Sequence, residues 1–335
     1  MSDDPTPTTE VIITRTEEHA LTRLPASIAE RARDLAVQSK AETTLTTYRR
    51  RWKAFSGWCR DHDLAVLPAE PTTVAGWVAD CGNSLSTIRV TLAAIVAAHR
   101  MSQYDDPTKH EVVRAVVQGL RREQGSAQKQ VAPILTDTLR KMIEACPETP
   151  TGHRDRAMLL LGFAGAFRRS ELAALRLEDL DWRTEGLVVN LRRSKTDQAG
   201  EGRRIGIPYG SDPLTCPVRV LRSWLAWMAS EARQRAPAAP GALFPALSPS
   251  GGLGAALGGR AVAQVIKRAA ARAGVDPATV SGHSLRAGFA TQAAMSGAAE
   301  RAIARQTGHK NLQTLRKYIR EGTLFRENAA TKLGL

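Results

Sequence analysis

Between Thr43 and His62 the apolar residues Leu45, Tyr48, Trp52, Phe55 and Cys59 recur at alternating steps of three and four. Only a helix gathers that spacing into one continuous stripe, so this segment must be an amphipathic helix with a partner for its apolar face. Arg49, Arg50, Arg51 and Lys53 fall off the stripe and give the same helix a basic flank. The period then returns. In SLSTIRVTLAAIVAAHR, Leu85, Ile88, Leu92 and Ile95 face one way, with Ser84 or Ser86 as N-cap. From about Lys109 to Arg122, Val112, Val116 and Leu120 keep helical spacing. Pro68-Ala69-Glu70-Pro71 is a break, after which Thr72 or Thr73 can cap a short helix holding Val74 and Trp77. Four such helices predict a compact bundle.

Residues 1–38, rich in Pro, Thr and mixed charge, read as a partly disordered tail with a short helix near Ile28–Leu35. Residues 39–125 read as the bundle, 126–133 (within the aperiodic EQGSAQKQVAP) as a linker, and 134–335 as a larger second domain. That domain is mostly helical with one β element. GLVVNLRRS, the connection KTDQAGEG and RRIGIP read as a hairpin by their β-branched residues. Ala236–Gly259 is dominated by Ala, Pro and Gly and reads as connection, with Leu243-Phe244-Pro245 as its one strand. The expected fold class is mainly α with a small β-hairpin or sheet (α+β) in the second domain.

The 335 residues hold 47 Lys and Arg against 33 Asp and Glu, a net charge of +14, and are 43% hydrophobic. That apolar fraction builds real cores and excludes wholesale disorder and fibrous repeats. The charge points to a polyanionic partner, nucleic acid before an anionic membrane surface. Cys59, Cys81, Cys146 and Cys216 are scattered without a C-x-x-C pair and read as reduced core thiols. The acidic start MSDDPTPTTE does not read as a signal sequence, and the longest apolar run, Ala157–Phe167, is too short to cross a bilayer. A soluble, intracellular protein is expected.

Glycine loops ending in Lys-Ser/Thr, H-E-x-x-H, paired metal-binding carboxylates and G-x-S-x-G are missing from the sequence, so neither a metal nor a cofactor is expected. The second domain offers instead an order of basic residues. Arg168 lies in GAFRRSEL and Lys195 in RRSKTDQ at the hairpin connection. His283 and Arg286 stand three apart in SGHSLRAG, His309 lies in RQTGHKN, and Tyr318 follows nine residues later in LRKYIRE. Taken singly, Arg168 reads as a surface ion-pair residue, Lys195 as a solvated turn residue and His283 as a helix-start histidine. Tyr318 reads as an amphipathic helix residue, packed by its ring and wet at its hydroxyl. Taken together they suit attack on a phosphodiester without a metal. Two guanidiniums can bind the non-bridging oxygens as negative charge gathers on them. A tyrosine can be the nucleophile, but with a pKa of about 10 it must give up its proton, a task for a neighbouring histidine. A lysine can protonate the departing alkoxide.

The stretches RDRAMLLLGFAGAFRRSELAALRLEDLD, RRSKTDQ, SGHSLRAGFATQAAMSG and TGHKNLQTLRKYIR resemble the tyrosine recombinase (phage integrase) family, and the chain looks like its Cre-type members. YRRRWKAFSGWCRDHDLAVLPAEP and STIRVTLAAIVAAHR extend the likeness over about residues 40–320. The resemblance implies a site-specific DNA recombinase needing no cofactor. Its helical core-binding bundle and tyrosine-recombinase catalytic domain would clamp double-stranded DNA that carries a specific recombination site. By the same resemblance Tyr318 makes a 3′-phosphotyrosyl link and frees a 5′-hydroxyl, while Arg168 and Arg286 clamp the scissile phosphate. Lys195 is the general acid, His283 handles the tyrosine proton, His309 donates a hydrogen bond to the phosphate, and Glu171 supports the site. A homo-tetramer on two DNA sites is implied, joined through the tail EGTLFRENAATKLGL. The tail's Leu324, Phe325, Leu333 and Leu335 also allow the less favoured alternative of a last helix folded on its own core. The cytoplasm and nucleoid are the expected location, with no membrane association; accessory proteins are not identified.

For DNA contact the candidates are Arg49, Arg50, Lys53, Thr87 and Arg89. An arginine in the major groove reads guanine through two hydrogen bonds, whereas most basic residues bind phosphate and only position the protein. Two other readings share these residues: a type IB topoisomerase-like DNA-relaxing enzyme, and a non-catalytic DNA-binding protein of the same fold. A membrane-surface protein is disfavoured, because the basic residues sit on a bundle without a strongly lipophilic exposed face.

Overall fold

The structure is a computed structural model describing residues 25, 27, 28, 31, 42–125, 131–192, 202–234, 239–249, 251–309, 311–323 and 333. The chain divides into two compact units, Met1–Lys129 and Gln130–Leu335. In the first, α1 (Glu42–Asp61), α2 (Pro71–Asp80), α3 (Leu85–Met101) and α4 (Glu111–Glu123) form a bundle. The apolar stripe turns inward as its spacing requires. Leu45, Trp52, Phe55 and Cys59 are buried with Val74, Trp77, Ile88 and Ile95, and Tyr48 is half-buried at the edge. Trp52, Phe55 and Trp77 pack ring on ring, with successive centroids 5.8 and 5.9 Å apart. Ser84 caps α3 by accepting the Thr87 N–H. The start of α2 differs from the expected threonine cap. Pro71 takes the first helical position, where its missing N–H costs nothing, and Glu70 precedes it with no side-chain cap.

One histidine is sealed in this core. Ala69 N–H donates to His99 Nε2 at 2.9 Å, so Nε2 is an acceptor and Nδ1 carries the proton it donates to the Ile95 carbonyl at 2.8 Å. His99 is 0% exposed, and burial lowers its pKa below the ordinary value. Because the folded pKa is the lower one, the unfolded chain takes up the proton first as pH falls. Stability is complete above the unfolded value of about 6.5 and declines below it. The denaturation midpoint should therefore drop between pH 7.5 and pH 5.5 in the wild type, and drop less in His99→Gln. An equal drop in both removes His99 from the account.

The second unit contains α5 (Thr136–Glu144), α6 (Pro150–Ala164), α7 (Arg169–Ala174), α8 (Pro217–Gln234), α9 (Gly259–Arg272), α10 (Ser284–Met295), α11 (Glu300–Thr307) and α12 (Leu312–Thr323). Ala157, Met158, Leu159, Leu160 and Leu161 are all buried, so the second half of α6 is apolar all round and forms the centre. Its neighbour α10 comes very close to the chain entering this unit. Ile134 N–H donates to the Ser284 carbonyl, and any Cβ at Gly288 would collide with the Ile134 carbonyl oxygen.

The hairpin pairs β2 (Gly186–Leu191) antiparallel with β3 (Arg203–Pro208), placing Leu187 opposite Ile207, Val189 opposite Ile205 and Leu191 opposite Arg203. Two features exceed the expected hairpin, and the strand expected at Leu243-Phe244-Pro245 falls instead at Pro245–Leu247. β1 (Leu180–Arg183) adds a third strand in the order β1-β2-β3, and β4 (Pro245–Leu247) pairs with β5 (Leu253–Ala256) inside the Ala/Pro/Gly stretch. LDWR and LGAA lack the β-branched run that marks a strand; pairing with a neighbour supplies their order.

Candidate active site

α6 is capped by Gly165, and the next residue, Ala166, takes a left-handed φ of 49°. The Ala166 carbonyl accepts Arg286 Nη1 at 2.9 Å. Arg168 then serves as N-cap of α7. Its backbone N–H donates to Glu171 Oε2 at 2.9 Å, and its Nη1 donates to Oε1 at 2.5 Å. The helix begins at Arg169, where Glu171, three residues past the cap, reaches back to the Arg168 backbone N–H. The Glu171 side chain is 2% exposed, and a carboxylate so buried must be paired. Arg168 is one partner. The other is Arg203, whose Nη2 stands 3.8 Å from Oε2.

Arg286 enters from the first turn of α10 and is buried, with Nη2 lacking a hydrogen-bond partner among the described residues. Burial, together with the Arg168 and Arg203 charges, brings its pKa down to about 10, while Glu171 and Tyr318 pull the other way. It remains charged at neutral pH. An orphan guanidinium N–H in a buried site is costly unless a ligand satisfies it, so the site is shaped to receive an anion.

His309 follows the left-handed Gly308 that ends α11. Its pKa falls to about 4 through burial first, then through Arg286, Arg168 and Arg203, so the ring is neutral at pH 7. Thr307 Oγ1 lies 2.7 Å from the Ile303 carbonyl and 2.8 Å from His309 Nδ1. When its proton points to Nδ1, the ring carries its own proton on Nε2. Tyr318, on α12, is half-buried against Ala290, Ala294, Ile303 and Leu315, and its ring centroid is 6.4 Å from that of His309.

The structure thus brings together Arg168, Glu171, Arg286, His309 and Tyr318. His283 sits exposed at the N-cap of α10, its backbone N–H donating to Ser281 Oγ at 3.1 Å, one turn before Arg286. Lys195 lies outside the described residues, as do Leu324, Phe325 and Leu335; Leu333 is exposed. In the first unit Arg50, Lys53 and Arg89 are exposed, and Arg49 and Thr87 are half-buried. Arg203 was missed by sequence reasoning although a signal existed. By the period of two, it shares a strand face with the buried Ile205 and Ile207, whereas Arg204 points away with a side chain 68% exposed.

Among the described residues no three His, Cys, Asp or Glu stand where they could hold a metal ion, and no helix is long and apolar enough to cross a membrane. The sequence profile of the Phage integrase family matches residues 133–323. An integrase/recombinase XerD homolog from Selenomonas ruminantium is 36% identical over 303 residues, covering 88% of this chain and 86% of that protein. Tyrosine recombinase XerD from Xanthomonas axonopodis pv. citri is 29% identical, covering 88% and 92%. The chain belongs to the phage integrase family and is a tyrosine-type DNA recombinase. The Cre-type subdivision is loose, since these relatives carry the XerD name. In fold, the chain matches the XerH site-specific recombinase bound to palindromic difH substrate in a post-cleavage complex. The TM-score is 0.63 at 15% identity, over 100% of this chain and 98% of that one.

Proposed function

We propose that the chain cuts and rejoins DNA at a specific site through a 3′-phosphotyrosyl link at Tyr318. One observation carries the reading: Arg168 and Arg286 converge beside His309 and Tyr318, around a buried carboxylate that fixes one of them and leaves the other with a free N–H. The Tyr318 oxygen attacks phosphorus and the bond to the 5′-oxygen breaks. One ester replaces another, so rejoining needs no cofactor. The tyrosine proton passes to His283, and Lys195 protonates the leaving oxygen. Arg168 and Arg286 hold the non-bridging oxygens. His309 donates to one of them from Nε2, the Thr307 hydroxyl turning its proton to Nδ1. Glu171 fixes Arg168.

Arg49, Arg50, Lys53, Thr87 and Arg89 meet the duplex, most of them at phosphates. The active species is a tetramer on two DNA sites, joined through the C-terminal tail, and it works in the cytoplasm on the nucleoid. If the basic surface follows a backbone, the log of affinity should fall by about 0.9 per log unit of salt for each phosphate neutralised. A binding titration should give a slope of several such increments; a slope near zero removes the duplex from the account. The chemistry is tested by incubating the protein with nicked duplexes tiled across the DNA that flanks its gene. A covalent adduct at a defined sequence supports recombination. Relaxation of any plasmid without sequence preference favours a type IB topoisomerase, and binding without an adduct favours a non-catalytic protein.

A further inference from the structure

We propose that Arg203 is a positioning residue for this reaction, fastening the turn that carries His309 to the carboxylate that holds Arg168. The inference rests on the reading of the site as a phosphodiester-cleaving centre. Three contacts point to it. Arg203 Nη1 donates to the Gln306 carbonyl at 2.9 Å and reaches the Arg305 carbonyl at 3.5 Å. These are end-of-helix acceptors that no helical N–H satisfies. Its Nη2 faces Glu171 Oε2 at 3.8 Å, an ion-pair distance, and makes no hydrogen bond among the described residues. Its guanidinium also lies directly against Gly308, where a φ of 64° favours glycine and where a Cβ would push Nη1 aside.

The geometry needs arginine in particular. A rigid planar fork serves the α11 carbonyls with one nitrogen and faces Glu171 with the other, whereas a lysine ammonium, a point charge, can serve one side only. Arg203 opens β3, directly after the connection that contains Lys195, and its strand neighbour Gly206 takes a second tie to the same turn through Gln306 Nε2 at 3.2 Å. The strand and the His309 turn are therefore held as one piece. The charge balance fits as well. Arg168, Arg203 and Arg286 against Glu171 leave two positive charges in excess. A phosphodiester carries one negative charge and approaches two as phosphorus becomes five-coordinate, so the excess favours the transition state over the bound substrate.

The test is single-turnover adduct formation on the tiled nicked duplexes by Arg203→Met, Arg203→Lys, His309→Ala and the double variant Arg203→Met/His309→Ala, with DNA affinity measured on the same duplex. Arg203→Met should slow the adduct roughly 10- to 100-fold, the usual cost of losing a supporting partner. Its DNA affinity should stay within about threefold of wild type, so that cleavage and binding separate. Arg203→Lys should recover part of the loss. In the His309→Ala background Arg203→Met should cost clearly less than in the wild type, because the turn it positions no longer carries a working side chain and only its charge beside Glu171 is lost. Equal loss in both backgrounds, no rescue by lysine, or affinity falling in step with cleavage would overturn the proposal. Should Arg203→Met unfold, the lysine variant is measured in the two backgrounds instead, with the same criterion. A wild-type protein that forms no adduct defeats the parent reading, not this one.

Discussion

Phenylalanine at position 318 should leave duplex DNA binding as before and abolish the covalent adduct, a loss of at least roughly 10⁴-fold in the chemical step. The substitution keeps the ring that packs against Ala290, Ala294, Ile303 and Leu315, so α12 stays docked on its neighbours. Only the hydroxyl disappears, and with it the proposed nucleophile. A gel-shift titration and a denaturing gel on the same nicked duplex separate the two properties. Affinity should be unchanged while the slow-migrating covalent band vanishes. An adduct that survives in Tyr318→Phe places the nucleophile on another side chain.

Arg286→Lys should cost roughly 10²–10³-fold in cleavage, the scale of losing a preorganised donor to a developing oxyanion. Burial and two neighbouring guanidiniums bring Arg286 only to about 10, so it remains a cation. A lysine starts from about 10.4, and the same burial and neighbouring guanidiniums would lower it from there. It also loses the fork that lets Nη1 bind the Ala166 carbonyl while Nη2 stays available. What activity remains should decline as pH rises, since the charged form is the one that binds phosphate and lysine loses its proton at lower pH than arginine, while the wild type shows no such decline over the same range. A rate profile of the variant between pH 6.5 and pH 9 checks the sign; a flat profile matching the wild type contradicts it.

Where periodicity governs, the sequence was legible. Leu45, Trp52, Phe55 and Cys59 are buried along α1 because their spacing leaves no other inward face. The hairpin was readable from its β-branched residues, and the order of Arg168, Arg286, His309 and Tyr318 pointed to one site before any geometry did. Two kinds of feature were hidden. LDWR and LGAA are too short and too weakly patterned to declare themselves, and become strands only when a partner strand lies beside them. Arg203 was hidden by abundance. Among 47 Lys and Arg, an Arg-Arg pair at the start of a strand reads as solvated surface, and the one sequence signal that separates residue 203 from residue 204 is the strand's period of two, which burial bears out. Glu171 is the converse case. Three residues past Arg168 at a helix start, it occupies a position whose capping role could be read directly, and that cap is what holds the guanidinium.

The central claim is that Tyr318 carries the DNA during the reaction. Trapping the protein on a nicked duplex, digesting both components and sequencing the cross-linked peptide by mass spectrometry tests it most directly. The account predicts a single modified peptide from α12, with a nucleotide joined through its 3′-phosphate to Tyr318. A linkage to any other residue, or one through a 5′-phosphate, would contradict it.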